Sequence, residues 1–118
     1  MDPRRKNGDP DGAIRLTDTD AAMARVSAVG KGYVKDPYIK HFVPRGQLQM
    51  ARPPLINIGT YLRGTAIDRL VDQWLERSAG ACQIVSFGAG SDTRFWRVAV
   101  RGSDNGESKS CCFDGGID

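Results

Sequence analysis

Apolar positions are almost absent at the start of this chain and become periodic further in. Through residue 16 the sequence is dominated by Asp, Asn, Gly, Pro, Arg and Lys. Too few apolar side chains are present to offset the entropy of ordering, which predicts a disordered tail over 1–16. Ala21, Ala22, Val26 and Val29 then recur at helical spacing behind Thr17 or Asp18, either of which suits a cap. Gly30 has the left-handed freedom that ends such a helix. Asp36-Pro37 carries turn chemistry, and Ile39, Phe42 and Val43 behind it have the spacing of a second short helix. Pro44, Gly46, Pro53 and Pro54 break the chain, leaving Gln47 to Ala51 ambiguous between them.

The strongest periodicity follows. Tyr61, Ile67, Leu70, Val71, Trp74 and Leu75 lie on one helical face up to Gly80, so this helix should bury that face. Gln83-Ile84-Val85-Ser86-Phe87 then reads as a buried-type strand running into Gly88-Ala89-Gly90. Helix, strand and glycine turn together predict the opening of a strand–helix–strand unit, hence an α/β protein with a helical N-terminal section.

Composition narrows the chemistry. The formal charge of +3 over 118 residues conceals a basic stretch from Arg25 to Arg63, with seven Lys and Arg against the one acid Asp36. A pocket for anionic groups or a solvated face accounts for it better than nucleic acid does. Tyr33, Tyr38 and Phe42 are few, and no RNA-recognition pattern accompanies them. No run of eighteen apolar residues and no apolar segment behind the N-terminal charges occurs, so neither a membrane span nor a signal peptide is expected and the compartment reads as cytoplasmic. Cys82, Cys111 and Cys112 have no zinc-type spacing, and His41 is the single histidine, so no metal site is expected.

A Gly-x-Gly turn after a strand lets backbone approach a ligand closely, because glycine lacks Cβ and accepts positive φ. Position 93, where a dinucleotide motif has its third glycine, is Thr93. The tripeptide alone therefore leaves an ordinary turn and a cofactor site both open. Asp92 is read as bracing the loop through nearby backbone amides, and Trp74 and Trp96 as core residues.

Three blocks, in order, carry a resemblance. They are Lys31-Gly32-Tyr33 with Asp36-Pro37-Tyr38-Ile39-Lys40-His41-Phe42-Val43, then Pro54-Leu55-Ile56-Asn57-Ile58-Gly59-Thr60-Tyr61-Leu62-Arg63, then Val85 to Arg97 with Gly-Ala-Gly leading into Asp-Thr-Arg. Over roughly residues 20–97 the chain resembles the leucine carboxyl methyltransferase family. The resemblance implies a Rossmann-like fold that binds S-adenosylmethionine and methylates the C-terminal leucine carboxylate of the protein phosphatase 2A catalytic subunit. By position it implies that Arg25 is a basic cofactor contact, that Arg63 meets the methionine carboxylate and that Gly88 is the first turn glycine. A guanidinium forks onto a carboxylate through two parallel hydrogen bonds, which suits Arg63 to that end of the cofactor. The implied reaction needs no catalytic acid or base, because the leucine carboxylate is already ionised and the enzyme has to align it with the donor and exclude water.

After Arg97 the family pattern gives way to a Gly-, Ser- and charge-rich stretch with no strand that ends in an acid for a ribose. The expected organisation is thus a tail over 1–16, the N-terminal part of a methyltransferase domain over 17–97, and a divergent disordered tail over 98–118. The change resembles translation past a splice boundary or a truncated gene model, and the chain alone is expected to be inactive. A non-catalytic fragment or binding module, and a methyltransferase of the tRNA wybutosine pathway, remain open as other readings.

Overall fold

The computed structural model describes residues 11–44, 50–79, 82–104 and 112–115. The elements run α1 (Gly12–Gly30), a 3₁₀ turn (Ile39–His41), α2 (Pro54–Arg77), β1 (Gln83–Ser86), α3 (Arg94–Asp104) and β2 (Cys112–Gly115). Helix α1 starts five residues ahead of the expected cap, so residues 12–16 are helical rather than part of a tail; residues 1–10 lie outside the described residues. Thr17 donates back to the Ala13 carbonyl and Thr19 to the Arg15 carbonyl, so both satisfy themselves inside the helix instead of capping it.

The end of α1 also shifts. Gly30 is still helical, and Gly32 takes the left-handed conformation at φ +81°. The Tyr33 amide donates to the Ala28 carbonyl at 2.9 Å and the Gly32 amide to the Val29 carbonyl at 3.0 Å, the paired bonds of a Schellman stop. In the next segment Asp36 Oδ1 accepts the amides of Tyr38 and Ile39, which tightens the predicted short helix to a single 3₁₀ turn. The small core forms here. Ala22, Ile39 and Val43 are buried, and Met23, Val26, Val29 and Phe42 pack around them.

Helix α2 begins with Pro54, whose missing N–H costs nothing in a first turn. Its end is the left-handed Ala79 at φ +48°, one residue before the expected Gly80, which lies outside the described residues. A buried polar knot fixes α2 on α1. Ser27 Oγ donates to Asn57 Oδ1 at 2.9 Å, the Arg52 amide donates to Ser27 Oγ at 2.7 Å, and Asn57 Nδ2 donates to the Arg52 carbonyl at 3.1 Å. Each of these buried polar groups is thereby satisfied.

The predicted burial of the apolar face of α2 does not hold among the described residues. Asn57 is its one buried residue, while Ile67, Leu70 and Trp74 are exposed. That face and β1 border an open apolar groove lined by Leu70, Val71, Trp74 and Ile84. Trp96, also read as core, is likewise exposed but stacks edge-on against Phe42 at 5.2 Å and so ties α3 to the core.

The strand falls at Gln83–Ser86, within the predicted 83–87. Over 98–104 and 112–115 the structure differs from the expected tail, because α3 continues to Asp104 and β2 pairs with β1 in parallel; residues 105–111 and 116–118 of that tail lie outside the described residues. The register places Gln83 against Cys112 and Val85 against Asp114. A β-bridge between parallel strands is a backbone pattern of long sequence separation, and no local apolar alternation over four residues announces it. The chain therefore contains a β1–α3–β2 unit, with helix α3 as the connection that parallel strands require.

Candidate functional site

The loop between β1 and α3 is bent by two left-handed glycines, Gly88 at φ +62° and Gly90 at φ +59°. They differ in surroundings. A Cβ on Gly88 would meet nothing within 4 Å, whereas one on Gly90 would overlap the Asp18 carboxylate. Gly88 thus leaves open space at the carboxyl end of β1, where ligands of open α/β sheets sit, and Gly90 makes room for a brace from α1. Ser91 supplies that brace through its amide and hydroxyl, both donated to Asp18. Asp92 behaves as expected. Its Oδ1 accepts the Arg94 amide at 2.9 Å and its Oδ2 accepts Arg94 Nη1 at 2.6 Å, which starts α3.

Thr93 and Asp36 carry the loop inward. Thr93 is 1% exposed and donates its hydroxyl to Asp36 Oδ2, which also accepts Arg25 Nε at 2.6 Å. Arg97 Nε lies 3.9 Å from the same oxygen. Burial by itself would push the Asp36 carboxyl up. The hydrogen bonds from Thr93 and Arg25, the Arg25 charge and the Tyr38 amide outweigh it and hold Asp36 below the usual carboxylate range.

A second carboxylate lies nearby. Asp68 of α2 accepts Arg94 Nε at 2.7 Å and takes Arg97 as a fork, Nη1 at 2.7 Å and Nη2 at 3.2 Å. Burial again opposes ionisation, and the two guanidiniums overcome it, so Asp68 titrates low. Burial would likewise pull Arg97 down, but Asp68, with Asp36 and Asp92 behind it, raises its value and keeps it charged.

Between these groups is a cavity of about 240 Å³. Arg25, Lys35 and Arg97 present positive charge to it, Tyr33 and Tyr61 supply aromatic walls, and among the described residues Asp68 is its one acid. Gly64 brings α2 close, since a Cβ there would lie 3.3 Å from Arg25 Nη1. The basic stretch of the sequence thus contributes Arg25 and Lys35 to an anion-favouring cavity. Arg97 and Asp68 belong to the same cavity and were not singled out as site residues in the sequence. Their i and i+29 pairing crosses two helices and leaves no local signal.

The three predicted cofactor residues fall in different places. Arg25 lines the cavity and is half engaged by Asp36. Gly88 lies in the open turn after β1. Arg63 is exposed on α2, outside the cavity lining, and has no hydrogen bond or ion pair among the described residues. His41 is exposed in the 3₁₀ turn, away from the cavity lining. Among the described residues no helix is long and apolar enough to cross a membrane.

Comparison with known proteins places this arrangement in context. Residues 13–103 match the family model for leucine carboxyl methyltransferase. The match begins earlier than the resembling blocks and continues past Arg97 through most of α3. Leucine carboxyl methyltransferase 1 of Cryptococcus neoformans var. neoformans serotype D is 49% identical over 102 residues, covering 77% of this chain and 28% of that protein. The protein of the same name from Emericella nidulans is 44% identical over 105 residues, covering 82% and 27%. That from Rattus norvegicus is 36% identical over 92 residues, covering 78% and 27%. The chain spans about a quarter of the length of these curated relatives.

Proposed function

Because the chain belongs to the leucine carboxyl methyltransferase family, we propose that it forms part of an S-adenosylmethionine-dependent enzyme that methylates the C-terminal leucine carboxylate of the protein phosphatase 2A catalytic subunit. The observation that carries this reading is the turn after β1. Gly88 is left-handed with open space where a side chain would stand, at the carboxyl end of a strand in a parallel β1–α3–β2 unit. The same topology supports a Rossmann-like fold for the whole domain.

In this reading S-adenosylmethionine supplies an activated sulfonium methyl group. The chain's own residues bind and orient. Gly88 lets backbone come close, Arg25 offers a cation at the cavity, and Arg63, exposed on α2, supplies a fork for a carboxylate. No side chain of this chain has to move a proton, since the acceptor carboxylate is ionised at neutral pH. Alignment and exclusion of water are the work left to the protein. The reaction is expected in the cytoplasm, on a protein tail.

The test is transfer of labelled methyl from S-adenosylmethionine by the full-length protein containing these residues. A phosphatase tail peptide ending in free leucine should be labelled, and the same peptide ending in an amide should not. Equal labelling of both, or labelling of a tRNA in place of the peptide, would overturn the substrate assignment. Cofactor binding without any methyl transfer would favour the binding-module reading.

A further inference from the structure

Asp36 divides its two oxygens between two tasks. Oδ1 accepts the Tyr38 and Ile39 amides at 3.1 and 3.3 Å and so fixes the 3₁₀ turn. Oδ2 accepts Arg25 Nε and the Thr93 hydroxyl, and the whole side chain is 0% exposed. Arg25 is held by one edge of its guanidinium, and its Nη1 lies at the cavity wall beside Gly64. Thr93 stands three residues after Gly90, at the end of the glycine loop. One oxygen therefore sets both the cation that lines the cavity and the loop that follows β1.

We propose that Asp36 is a positioning residue for the methyl donor: through Oδ2 it holds the Arg25 guanidinium and the loop from Gly88 to Thr93 in one fixed relation. The inference rests on the reading that Arg25 and Gly88 hold S-adenosylmethionine. Neither partner reaches that relation alone. Arg25 extends from α1, the loop extends from β1, and Asp36 and Thr93 are 57 residues apart in sequence. A flexible guanidinium loses less freedom on binding an anion when one edge is already fixed.

Two substitutions separate this role from plain support of the fold. In Asp36→Asn the amide oxygen keeps the Tyr38 and Ile39 bonds, and the Thr93 hydroxyl reverses to accept from Nδ2. The Arg25 Nε–H then faces another donor and Arg97 loses the charge 3.9 Å from its Nε, so the two guanidinium links to Oδ2 are lost while the 3₁₀ turn keeps its bonds. In Thr93→Val the hydroxyl is lost, and with it the bonds to Asp36 and from Arg97 Nε, while the Arg25 link stays; Thr93→Ser keeps the hydroxyl and both bonds. In the full-length protein, Asp36→Asn should raise the KM for S-adenosylmethionine about tenfold, equivalent to the loss of one oriented charged contact. kcat should stay near the wild-type value, while the thermal midpoint should fall by what the ionised carboxylate contributes to the fold. Thr93→Val should raise KM in the same direction, and Thr93→Ser should restore it.

Wild-type turnover together with folded Asp36→Asn and Thr93→Val variants of unchanged KM would overturn the positioning role and leave the family reading intact. A fall in kcat at constant KM would overturn it as well. A wild-type protein that neither binds the donor nor transfers methyl removes both readings. Should Asp36→Asn fail to fold, the contrast between Val and Ser at position 93 decides the question by itself.

Discussion

Asp18 in α1 and Ser91 in the loop after β1 are 73 residues apart in sequence and are joined twice. The Ser91 amide donates to Oδ1 at 2.8 Å, and the Ser91 hydroxyl donates to Oδ2 at 2.9 Å. The Asp18 carboxylate crosses the space where a side chain on Gly90 would stand. With the Asp36–Thr93 bond, this makes a second tether between the helical section and the glycine loop.

The two turn glycines should therefore respond differently to the same change. Gly88→Ala meets open space and bears only the left-handed backbone, a cost of about 1–2 kcal/mol. Gly90→Ala bears that cost and also displaces Asp18, so its midpoint in urea should fall further, and the Ser91 amide should lose exchange protection. Equal midpoints for the two variants would show that the Asp18 brace contributes nothing. Gly88→Val, by contrast, should fold and weaken donor binding, because it fills the open side of the turn.

Stability should depend on pH through Asp36 and Asp68. Both carboxyls are held below their ordinary range in the folded state. At low pH the unfolded chain binds protons that the folded chain refuses, so stability rises with pH there. The contribution is complete above the unfolded carboxylate value of about 3.9 and is lost as pH falls through the lower folded values. Thermal midpoints should be level from pH 7 to about 5 and then decline. Asp68→Asn should start lower and decline less; an identical slope would place the titrating groups elsewhere.

The arginine ladder on α3 should be uneven in worth. Asp72 meets Arg101 where both are well exposed, with side chains 39% and 54% accessible, so Asp72→Ala should cost under about 1 kcal/mol. Asp68 serves Arg94 and Arg97, each 13% accessible, and its loss leaves Arg94 with Asp92 alone and Arg97 with only the longer 3.9 Å approach to Asp36. Asp68→Ala should cost about 1.5–3 kcal/mol, the range for hydrogen bonds to charged groups. Denaturant titration of both variants checks the ranking, and high salt should narrow the difference little, since part-buried pairs are weakly screened.

What could be read in the sequence was local. The change from period 3.6 to a β-branched run placed β1 at Gln83–Ser86 and the turn at Gly88 and Gly90. The helix stops were legible to within two residues, Gly30 against the left-handed Gly32 and Gly80 against Ala79, whereas α1 and α2 start at Gly12 and Pro54, well ahead of the expected cap and of Tyr61. Nothing local marked Asp36 as the hub of Arg25 and Thr93, because a charge followed by proline reads as a turn wherever it occurs. The apolar face of α2 was legible as a pattern, but its burial depends on what lies against it, and among the described residues Leu70 and Trp74 stay exposed. Strand β2 escaped for a similar reason, since pairing is a property of two segments and Cys112–Gly115 is strand only beside β1.

Arg63 should act on ligand and not on stability. It is exposed on α2 with no hydrogen bond or ion pair among the described residues, so Arg63→Ala should leave the unfolding midpoint within about 0.5 kcal/mol of wild type. In the full-length protein the same substitution should weaken S-adenosylmethionine binding by about 1.5–3 kcal/mol, through loss of a charged hydrogen-bonding fork. Calorimetric titration measures it directly. Unchanged affinity would remove Arg63 from the cofactor site.

The 118 residues made alone should show no detectable methyl transfer to a phosphatase tail. They cover about a quarter of the length of the curated relatives. Among the described residues the turn after β1 is open to solvent, with Phe87 89% exposed beside it. A cavity walled by Arg25, Tyr33 and Tyr61 can engage one end of a donor, but the acceptor carboxylate must be fixed against the donor at the same time. Holding two reactants in line lowers a barrier by about 7–11 kcal/mol, and a site that fixes one of them forgoes most of that. Exposed Val85 and Phe87 at the carboxyl end of β1 also let in the water that a methyl-transfer site has to exclude. Labelled donor, a tail peptide with a free leucine carboxylate and a full-length relative as positive control make up the assay. Turnover by the purified chain above the protein-free background would show that β2 and the residues around it complete a site by themselves. Donor binding without turnover is the expected result, with an affinity that falls in Gly88→Val.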